Sequence, residues 1–471
     1  MHFLKKVHLY FSGVSKEGKR FYAFAQRLYA NPVLVITVSF LTAIGIGTIL
    51  LLLPCATQAE EGISFVDALF TATSATCVTG LIVKDTGSDF TLFGQLVILF
   101  LIQIGGLGIM TLSSFFLISF GRRLSIAQQI VVKDSLDLES LRITRQAVRF
   151  VVLTTVIIEC IGAIMLFISW PLTVGGSLHR WYISFFHSIS AFCNAGFSLF
   201  STSLVAYQRN YAVTLTVAGL IIVGGIGYFV LVDAGRRLDD CFKKTERKKR
   251  FSLHSKLVAM FTVILIVGGM LGYLLFERQA SLAPYPPSER ILIAFFQSVT
   301  PRTAGFATVD ISTLQKSTLQ LLIFLMVIGG APGSTAGGIK VTVFALLALA
   351  LWARLRGRRE IVIAERTIPG DLIDRAVVIT MIVLSVMFLS SLLVNWIEDF
   401  AFEEVLFEVV SALGTVGLSC GITMKLSALS RLIITGTMFF GRIGPLVLSI
   451  IIAKNVREAK IRYPEERVML G

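Results

Sequence analysis

Four short turns around glycine contain the residues of this chain that could do chemistry. They read ATCVTGLI, FCNAGFSL, PRTAGFAT and LGTVGLSC, and their central glycines are Gly80, Gly196, Gly305 and Gly417. These glycines are separated by 116, 109 and 112 residues. A spacing that recurs this regularly indicates four copies of one structural unit.

Each turn follows a half-apolar segment that is too short to cross a membrane. Non-helical backbone at membrane depth is tolerated only where it is buried in protein or lines a water-filled path. Glycine permits the unusual φ and ψ angles that aim successive carbonyls inward, and the four short helices would direct their negative C-terminal ends at one axis. The turns are therefore predicted to form a site for a dehydrated cation, as in the filters of potassium channels.

The site is predicted to use mainly backbone carbonyls. Its residues are Cys77, Val78, Thr79 and Gly80 in the first turn, Cys193, Asn194, Ala195 and Gly196 in the second, Arg302, Thr303, Ala304 and Gly305 in the third, and Gly414, Thr415, Val416 and Gly417 in the fourth. Glycine also promotes close packing of membrane helices, which is the competing interpretation of any single turn. The recurrence of all four turns at the same place in each repeat favours the ion site over simple helix packing.

Membrane helices are the elements that must position these turns. The chain has 471 residues, of which 55% are hydrophobic and only 15% are charged, and its mean hydropathy is +0.80. A run of about 20 apolar residues can cross a hydrocarbon core of about 30 Å. We expect eight such spans, near 32–54, 91–120, 146–170, 211–232, 255–276, 317–352, 376–397 and 430–453. The six cysteines show no paired spacing and are expected to be free thiols.

The net charge of +14 would suggest a nucleic-acid partner in a soluble protein. Here most of the 43 lysines and arginines lie in the two termini and in three loops between the predicted spans. The positive-inside rule places all five segments in the cytoplasm, so no nucleic acid is expected. The run KKTERKK at 243–249 is read as this topology signal, and a contact with membrane lipids or a partner is the alternative.

The predicted fold is an all-α integral membrane protein with pseudo-fourfold symmetry around one pore. Each repeat consists of a span, a pore helix and a second span. The segments are a cytoplasmic N-terminal segment at 1–31, repeat 1 at 32–120, a cytoplasmic loop at 121–145, repeat 2 at 146–232, a basic loop at 233–254, repeat 3 at 255–352, a basic loop at 353–375, repeat 4 at 376–453 and a cytoplasmic tail at 454–471.

A second alignment runs through the last span of each repeat. The sequences GGLG, GGIG, GGAPG and GRIG begin at residues 105, 224, 329 and 441. Arg442 therefore stands where the other repeats have glycine, and an arginine in mid-membrane normally faces an interior or a water-filled cavity. We predict that it points at the pore axis, below the turns. Pairing with a carboxylate such as Glu159 is the alternative.

The third repeat contains VIGGAPGSTAGGIK at 327–340, which cannot form a regular helix. We predict two half-helices joined by an intramembrane loop under the filter. Together with Arg442 this loop is the predicted gate, and its residues are Gly329, Gly330, Ala331, Pro332, Gly333, Ser334, Thr335, Ala336, Gly337, Gly338 and Lys340.

These motifs resemble those of the Trk/Ktr/HKT superfamily of potassium transporters. The resemblance extends from about Asn31 to Pro464 and includes the four turns, GGAPGSTAGGIK and FFGRIGP. Within the superfamily the chain is most similar to KtrB-type membrane subunits, because one short segment precedes the first span and the sequence ends in IRYPEERVMLG.

The resemblance implies K⁺ uptake across the bacterial cytoplasmic (inner) membrane by the ion-conducting subunit of a Ktr-like system, in some members with a Na⁺ dependence. It implies a homodimer with one pore per protomer and a gate that matches residues 329–340 and Arg442. It also implies a cytoplasmic KtrA-like regulatory ring that binds ATP, ADP or NAD(H), docked on the basic loops, while this chain has no covalent cofactor. Plant relatives that favour Na⁺ have serine at the first filter glycine, whereas this chain keeps glycine at all four positions, which favours K⁺.

Several polar residues have two interpretations each. Asp67, His187 and Glu408 on the pore helices could attract cations, but local pairing is favoured. Arg302 is expected to point away from the ion and brace its loop, and Lys340 either acts in gating or anchors the loop. A symporter with a midplane site in broken helices is the competing transport function. An enzyme is not expected, because the five histidines form no evident catalytic motif.

Overall fold

The computed structural model describes residues 32–59, 62–108, 144–242, 251–358, 360–363 and 366–454. Within these ranges the chain forms fourteen α-helices: α1 (Pro32–Leu51), α2 (Phe65–Thr76), α3 (Leu92–Leu107), α4 (Thr144–Ser169), α5 (Ser177–Phe192), α6 (Tyr211–Gly225), α7 (Tyr228–Phe242), α8 (Leu253–Phe276), α9 (Pro287–Val299), α10 (Lys316–Val327), α11 (Val341–Leu355), α12 (Gly370–Ile397), α13 (Phe402–Gly414) and α14 (Ala428–Lys454). Single 3₁₀ turns occupy Pro54–Ala56, Leu172–Val174, Val205–Tyr207, Ile311–Thr313 and Thr423–Lys425, and a hairpin joins β1 (Ile361–Ile363) to β2 (Arg366–Ile368).

The four short helices α2, α5, α9 and α13 form where the sequence predicted pore helices. Two of them begin with a recognisable helix start: the Ser64 side chain caps α2 by accepting a hydrogen bond from Asp67 N at 3.1 Å, and Pro287 opens α9 with a φ already suited to a helix. Their C-terminal halves are buried. Each therefore ends inside the protein, where its last carbonyls and the following turn lie away from lipid.

The short helices are packed into a closed ring by the helices around them. Within each repeat the short helix contacts the helix before it. In addition, the helix that follows each turn contacts the short helix of the next repeat: α3 contacts α5, α6 contacts α9, α10 contacts α13, and α14 returns to contact α2. The last contact joins the fourth repeat to the first and closes the ring.

Arg431 of α14 and Asp67 of α2 form an ion pair where the ring closes, and their side chains are only 20% and 9% exposed. The other end of the guanidinium donates to Met424 O at 2.9 Å. We expect Arg431→Ala to lower the free energy of unfolding by about 3 kcal/mol, because it leaves a buried carboxylate without its partner. Thermal unfolding of the purified protein in detergent would measure the loss.

Lys316→Ala is the matched control, because its exposed ammonium contacts Glu403 at 3.0 Å between α10 and α13. An exposed pair contributes little, so this variant should unfold close to the parent protein. Equal losses in both variants would contradict a special role for the Asp67 pair.

The outer faces of the long helices are apolar and exposed, as expected of a surface that meets lipid. Among the described residues, four helical segments are long and apolar enough to cross a membrane: Val33–Leu51, Val148–Ser169, Leu253–Phe276 and Gly370–Ile397. The α6–α7 pair would be a fifth if counted as one span. Several apolar spans therefore surround the ring.

The predicted continuous span at 211–232 is wrong. It breaks after Gly225, and the next helix departs at an angle of 99°, with Gly227 at φ +92° between them. The terminal carbonyls of α6 are used elsewhere: Gly225 O accepts a hydrogen bond from Ala331 N at 2.9 Å, and Gly224 O accepts one from Thr335 N at 3.3 Å. A continuing helix would need these same carbonyls for its own amides.

Other predicted boundaries also need correction. Part of the expected basic loop 233–254 is helical, because α7 continues to Phe242 and α8 begins at Leu253. The loop at 353–375 contains the antiparallel hairpin, with Ile361 opposite Ile368, so the chain is mostly rather than entirely helical. β-Branched residues favour such pairing. The first helix of repeat 4 begins at Gly370 instead of 376.

Some predictions fall on residues outside the described ranges. Helix α3 ends at Leu107, and the rest of the predicted span 91–120 lies within 109–143. The N-terminal segment 1–31, the basic run at 243–249 and the tail beyond Lys454 also lie outside the described residues.

Candidate functional site

The four turns follow the same backbone path. In each of them the residue two positions before the glycine has a left-handed φ, and the glycine itself also has a positive φ. The pairs are Val78 (58°) with Gly80 (91°), Asn194 (58°) with Gly196 (71°), Thr303 (72°) with Gly305 (77°), and Thr415 (51°) with Gly417 (93°). A positive φ is uncommon outside glycine, so its recurrence at one position in all four turns indicates a shared, enforced geometry.

The four turns also contact each other in a closed ring. The carbonyl oxygen of the residue before each glycine lies against the glycine of a neighbouring turn: Ala195 O faces Gly80, Ala304 O faces Gly196, Val416 O faces Gly305, and Thr79 O faces Gly417. A Cβ atom added at Gly196 would lie 2.8 Å from Ala304 O, and one added at the other three glycines would lie closer still. Glycine is therefore the residue that lets four backbones meet at one point.

This arrangement brings backbone oxygens together where water is largely excluded, because the residues just before the glycines are buried. A ring of carbonyl oxygens can replace the hydration shell of a cation. On one side of the ring lies a cavity of about 410 Å³, lined by all four glycines and by hydroxyl side chains that include Ser198, Ser419 and Thr423. Ions from water could reach the ring through this vestibule.

A hydroxyl group near the end of each short helix holds its turn, which the sequence analysis missed. Ser74 Oγ donates to Leu81 O at 2.7 Å and accepts from Gly80 N at 3.1 Å. The equivalent contacts are Ser190 Oγ to Phe197 O at 2.7 Å, Thr300 Oγ1 to Phe306 O at 2.6 Å, and Gly417 N to Ser411 Oγ at 3.0 Å. A hydroxyl five or six residues before each glycine is the signal that could have revealed them.

Cys77 and Cys193 of the predicted ion site lie at helix ends rather than within the turns. Cys77 and Cys193 close α2 and α5 with φ of −80° and −71°, and both thiols are buried and free. Cys193 Sγ lies 3.8 Å from Gln103 Oε1 and 3.8 Å from Glu159 Oε1. The Cys193 side chain therefore faces the packing of α3 and α4 behind the ring.

The polar residues of the pore helices have local or cross-repeat partners. Asp67 pairs with Arg431 in the fourth repeat. His187 bonds to Ile183 O and Ser198, and Glu408 accepts three hydrogen bonds from residues just after the fourth turn. These contacts agree with the favoured interpretation of all three as paired groups.

Arg302 points away from the ring into the protein. Its side chain is 8% exposed, and Nη2 donates to Thr262 Oγ1 at 3.4 Å. The guanidinium lines a small cavity beside Gly225 and Gly330. The prediction that it points away from the ion agrees with this position, but its contact is with α8 rather than with its own loop.

The loop of the third repeat separates two helices, since α10 ends at Val327 and α11 begins at Val341. Its base is closed by hydrogen bonds from Gly329 N to Ile339 O at 2.8 Å and from Val341 N to Gly330 O at 2.9 Å. Lys340 Nζ donates to Ala336 O at 2.7 Å, within the loop. The loop is thus an ordered structure with internal bonds.

The loop contacts both the end of a short helix and the fourth glycine turn. Thr335 Oγ1 donates to Phe192 O, the last carbonyl of α5, at 3.1 Å. A Cβ atom added at Gly337 would collide with the Thr415 side chain, which would have to move, and one added at Gly338 would be 3.3 Å from Gly414 O. The loop therefore lies directly beside the inner part of the ring.

Arg442 bridges this loop to the first repeat. Its Nη1 donates to Thr335 O, and its Nη2 donates to Gly105 O at 2.5 Å. The alternative partner Glu159 accepts instead from Gln103 Nε2 at 3.2 Å, and no ion pair between Arg442 and Glu159 is present among the described residues. The positively charged side chain of Arg442 on α14 thus connects α3 with the loop.

The first glycines of the GGLG, GGIG and GRIG sequences have a common packing role. A Cβ atom would collide with Thr76 O if added at Gly105, with Phe192 O if added at Gly224, and with Leu413 O if added at Gly441. Each glycine therefore lets its helix approach the carbonyl end of a short helix. Gly329 in the third repeat faces Gly337 O of its own loop instead, which is where that repeat departs from the others.

Comparison with known proteins agrees with this architecture. The potassium/sodium uptake protein NtpJ of Enterococcus hirae is 37% identical over 448 residues, covering 94% of this chain and 97% of that protein. The Ktr system potassium uptake protein B of Bacillus subtilis is 38% identical over 443 residues, with the same coverage. The crystal structure of the potassium transporter TrkH from Vibrio parahaemolyticus matches with a TM-score of 0.69 and 19% identity over 89% of this chain and 84% of that one, which shows the fold.

The family model described as "TrkH: Cation transport protein" matches residues 9–462. That match includes the four turns, the loop and Arg442, and it extends over nearly the whole sequence. The chain belongs to the TrkH family of cation transport proteins, which are transporters and not enzymes.

Proposed function

We propose that this chain is the ion-conducting subunit of a K⁺ uptake system of the Ktr type in the bacterial cytoplasmic membrane. The observation that carries the proposal is the closed ring of four glycine turns, in which backbone oxygens meet below an open vestibule. Two relatives that align over nearly their whole length are named as potassium uptake proteins. A carbonyl ring is a means of exchanging water for protein oxygen around K⁺.

The turns act as a selectivity filter with pseudo-fourfold symmetry, formed by the residues predicted from the sequence. Glycine at all four central positions supports a preference for K⁺, because each leaves its neighbour's carbonyl in place. The name of the Enterococcus relative includes sodium as well as potassium, which supports testing Na⁺ both as a competing ion and as a coupling ion.

The loop at 329–340 and Arg442 form the gate. The loop lies beside the ring, and the arginine holds it through Thr335 O. A positive charge near the path raises the energy of a passing cation, and the loop occupies space that an ion would need. Withdrawal of the loop would break the contacts to Phe192 O, to the end of α6 and to Arg442.

A partner is expected to control this gate. The Bacillus relative is named protein B of a Ktr system, which supports a second component. We propose that it is a cytoplasmic KtrA-like ring that binds ATP, ADP or NAD(H) and that two copies of this chain associate, with both termini in the cytoplasm. The nucleotide would then bind to the partner and not to this chain.

Cation flux into liposomes that contain this purified chain alone would test the proposal, with K⁺ and Na⁺ measured separately. Flux that favours K⁺ would support the filter, whereas equal flux would retain the pore and reject the selectivity. If the chain alone gives no flux, the same measurement with a regulatory ring added decides the matter, and continued absence of flux would reject the proposal.

A cation symporter is the second candidate, because two helices are broken within the membrane region, at Gly225 and at Val327. Broken helices form the ion sites of many secondary transporters. K⁺ accumulation against its gradient, driven by an imposed Na⁺ gradient, would favour this candidate over a pore.

A further inference from the structure

A second set of contacts lies behind the four turns, at one position of the pore helices. The residues at this position are Thr71, His187, Gln297 and Glu408. This position precedes the filter glycine by nine residues in repeats 1, 2 and 4, and by eight residues in repeat 3. The third turn is one residue shorter, because Ala304 N bonds to Thr300 O, whereas Val416 N reaches back one residue further to Ser411 O. The four positions are therefore structurally equivalent.

His187 connects its helix to the segment just after the second turn. Its Nδ1 lies 2.9 Å from Ile183 O and its Nε2 lies 3.0 Å from Ser198 Oγ. A carbonyl can only accept, so Nδ1 carries the proton and Ser198 donates to Nε2. Ser198 Oγ also accepts from Phe200 N at 3.0 Å, and the Phe200 ring stacks on the imidazole at 5.0 Å. The histidine thus fixes a short stretch of the vestibule wall.

Glu408 makes the corresponding connection in the fourth repeat with a different chemistry. Its carboxylate accepts hydrogen bonds from Ser419 Oγ, from Cys420 N at 3.1 Å and from Thr423 Oγ1 at 2.9 Å. Three donors suit an acceptor-only group. The side chain is 1% exposed, so these donors are its contacts with the vestibule wall.

Gln297 makes a single, weaker connection in the third repeat. Its Nε2 donates to Thr308 Oγ1 at 3.3 Å, and both residues are buried. In the first repeat the equivalent position is Thr71, whose buried hydroxyl has no hydrogen-bond partner among the described residues. Residue 82, at the place of Ser198 and Ser419, is isoleucine. The connection is therefore present in three repeats and missing in one.

Each filter glycine of repeats 2 to 4 consequently lies between two anchors on the same pore helix. The inner anchor is the hydroxyl of Ser190, Thr300 or Ser411. The outer anchor is the side chain of His187, Gln297 or Glu408, which holds the residues two or more positions beyond the glycine. A turn fixed at both ends has little freedom to contract around a smaller ion.

We propose that His187, Gln297 and Glu408 are positioning residues that set the spacing of the filter carbonyls from behind, and that they thereby tune discrimination between K⁺ and smaller cations. The inference depends on the proposed function of the ring. None of the three touches the ion path; they act through Ser198, Thr308 and Ser419. The first repeat, without this anchor, is then the least restrained quarter of the ring.

The test measures K⁺ and Na⁺ flux separately in liposomes for His187→Leu, His187→Gln and Glu408→Gln. Loss of one anchoring hydrogen bond is expected to lower the K⁺/Na⁺ flux ratio by about threefold to tenfold in His187→Leu and Glu408→Gln. His187→Gln should retain most of the ratio, because the glutamine oxygen can still accept the single hydrogen bond from Ser198 Oγ, whereas the one amide oxygen of Glu408→Gln replaces a carboxylate that accepts from three donors. Ser198→Ala removes the same bond from the other side and serves if His187→Leu does not fold.

Ser184→Ala is the matched control, because within the described part of the chain its hydroxyl bonds only to Arg180 O on the same pore helix, at 2.7 Å. It should keep the parent ratio. A merely structural role would lower yield and thermal stability while the flux ratio stayed constant. Parent-like ratios in folded His187→Leu, Ser198→Ala and Glu408→Gln would overturn the inference alone. A parent protein that does not discriminate K⁺ from Na⁺ would overturn the proposed filter and this inference with it.

Discussion

Replacing Gly417 with serine is expected to lower the K⁺/Na⁺ flux ratio by about tenfold or more, a change of about 1.4 kcal/mol in relative barrier. Two effects act together. The glycine has a φ of +93°, a conformation that costs other residues about 1–2 kcal/mol. In addition, the new Cβ atom would collide with Thr79 O of the first turn. The carbonyl must move, and the spacing of the ring changes with it.

Gly80→Ser tests the next junction of the ring, between the first and second turns, because its Cβ atom would collide with Ala195 O. Gly421→Ser is the control for backbone strain. It has a φ of +88°, yet no atom lies within 4 Å of an added Cβ. We expect the control to keep the parent flux ratio in liposomes. Unchanged ratios in both Gly80→Ser and Gly417→Ser would contradict the filter.

Arg442→Ala is expected to raise cation flux by about tenfold or more. The guanidinium donates to Thr335 O and Gly105 O, and a hydrogen bond to a charged group contributes about 1.5–3 kcal/mol. Its loss would let the loop leave the ring more often, and it would also remove a positive charge from a low-dielectric region. Initial rates of K⁺ entry into liposomes, at equal protein content, would measure the effect.

Two further variants separate the charge from the tether. Arg442→Lys keeps the charge, but a single ammonium cannot reproduce the planar, two-sided contact of guanidinium, so an intermediate flux would indicate that the tether matters. A deletion within 331–337 shortens the loop and leaves the positive charge of Arg442 in place. Arg375→Ala is the control, because it removes an arginine whose partner is Asp371 on the same helix. Parent-like flux in both Arg442→Ala and the loop deletion would reject this gate.

The features that could be predicted from the sequence are those encoded locally. The short helices, the turns after them and the break in the third repeat each depend on residues close together in the chain, such as the glycines and proline of 329–338. The alignment of the four repeats also showed that Arg442 stands where the other three have glycine. Its direction toward the pore axis stays a prediction, and its bonds to Thr335 O and Gly105 O were not part of that prediction.

The features that could not be predicted depend on partners far away in the chain. The break after Gly225 exists because its carbonyl binds Ala331, more than a hundred residues later. Asp67 and Arg431 are 364 residues apart. The anchors behind the turns are histidine, glutamine and glutamate, so no common residue type marked them. Burial and pairing of this kind become visible only when the helices are placed against each other.

The closed ring is made by one polypeptide, and this has a consequence for how such a protein can vary over generations. In a channel assembled from four identical subunits, a single codon change alters every quarter of the ring at once. Here a single codon change alters only one quarter of the ring. The equivalent position of repeats 2, 3 and 4 illustrates this, because it holds His187, Gln297 and Glu408. If the ring is the proposed filter, its ion preference can therefore change in small steps, with one quarter altered while the other three keep their structure.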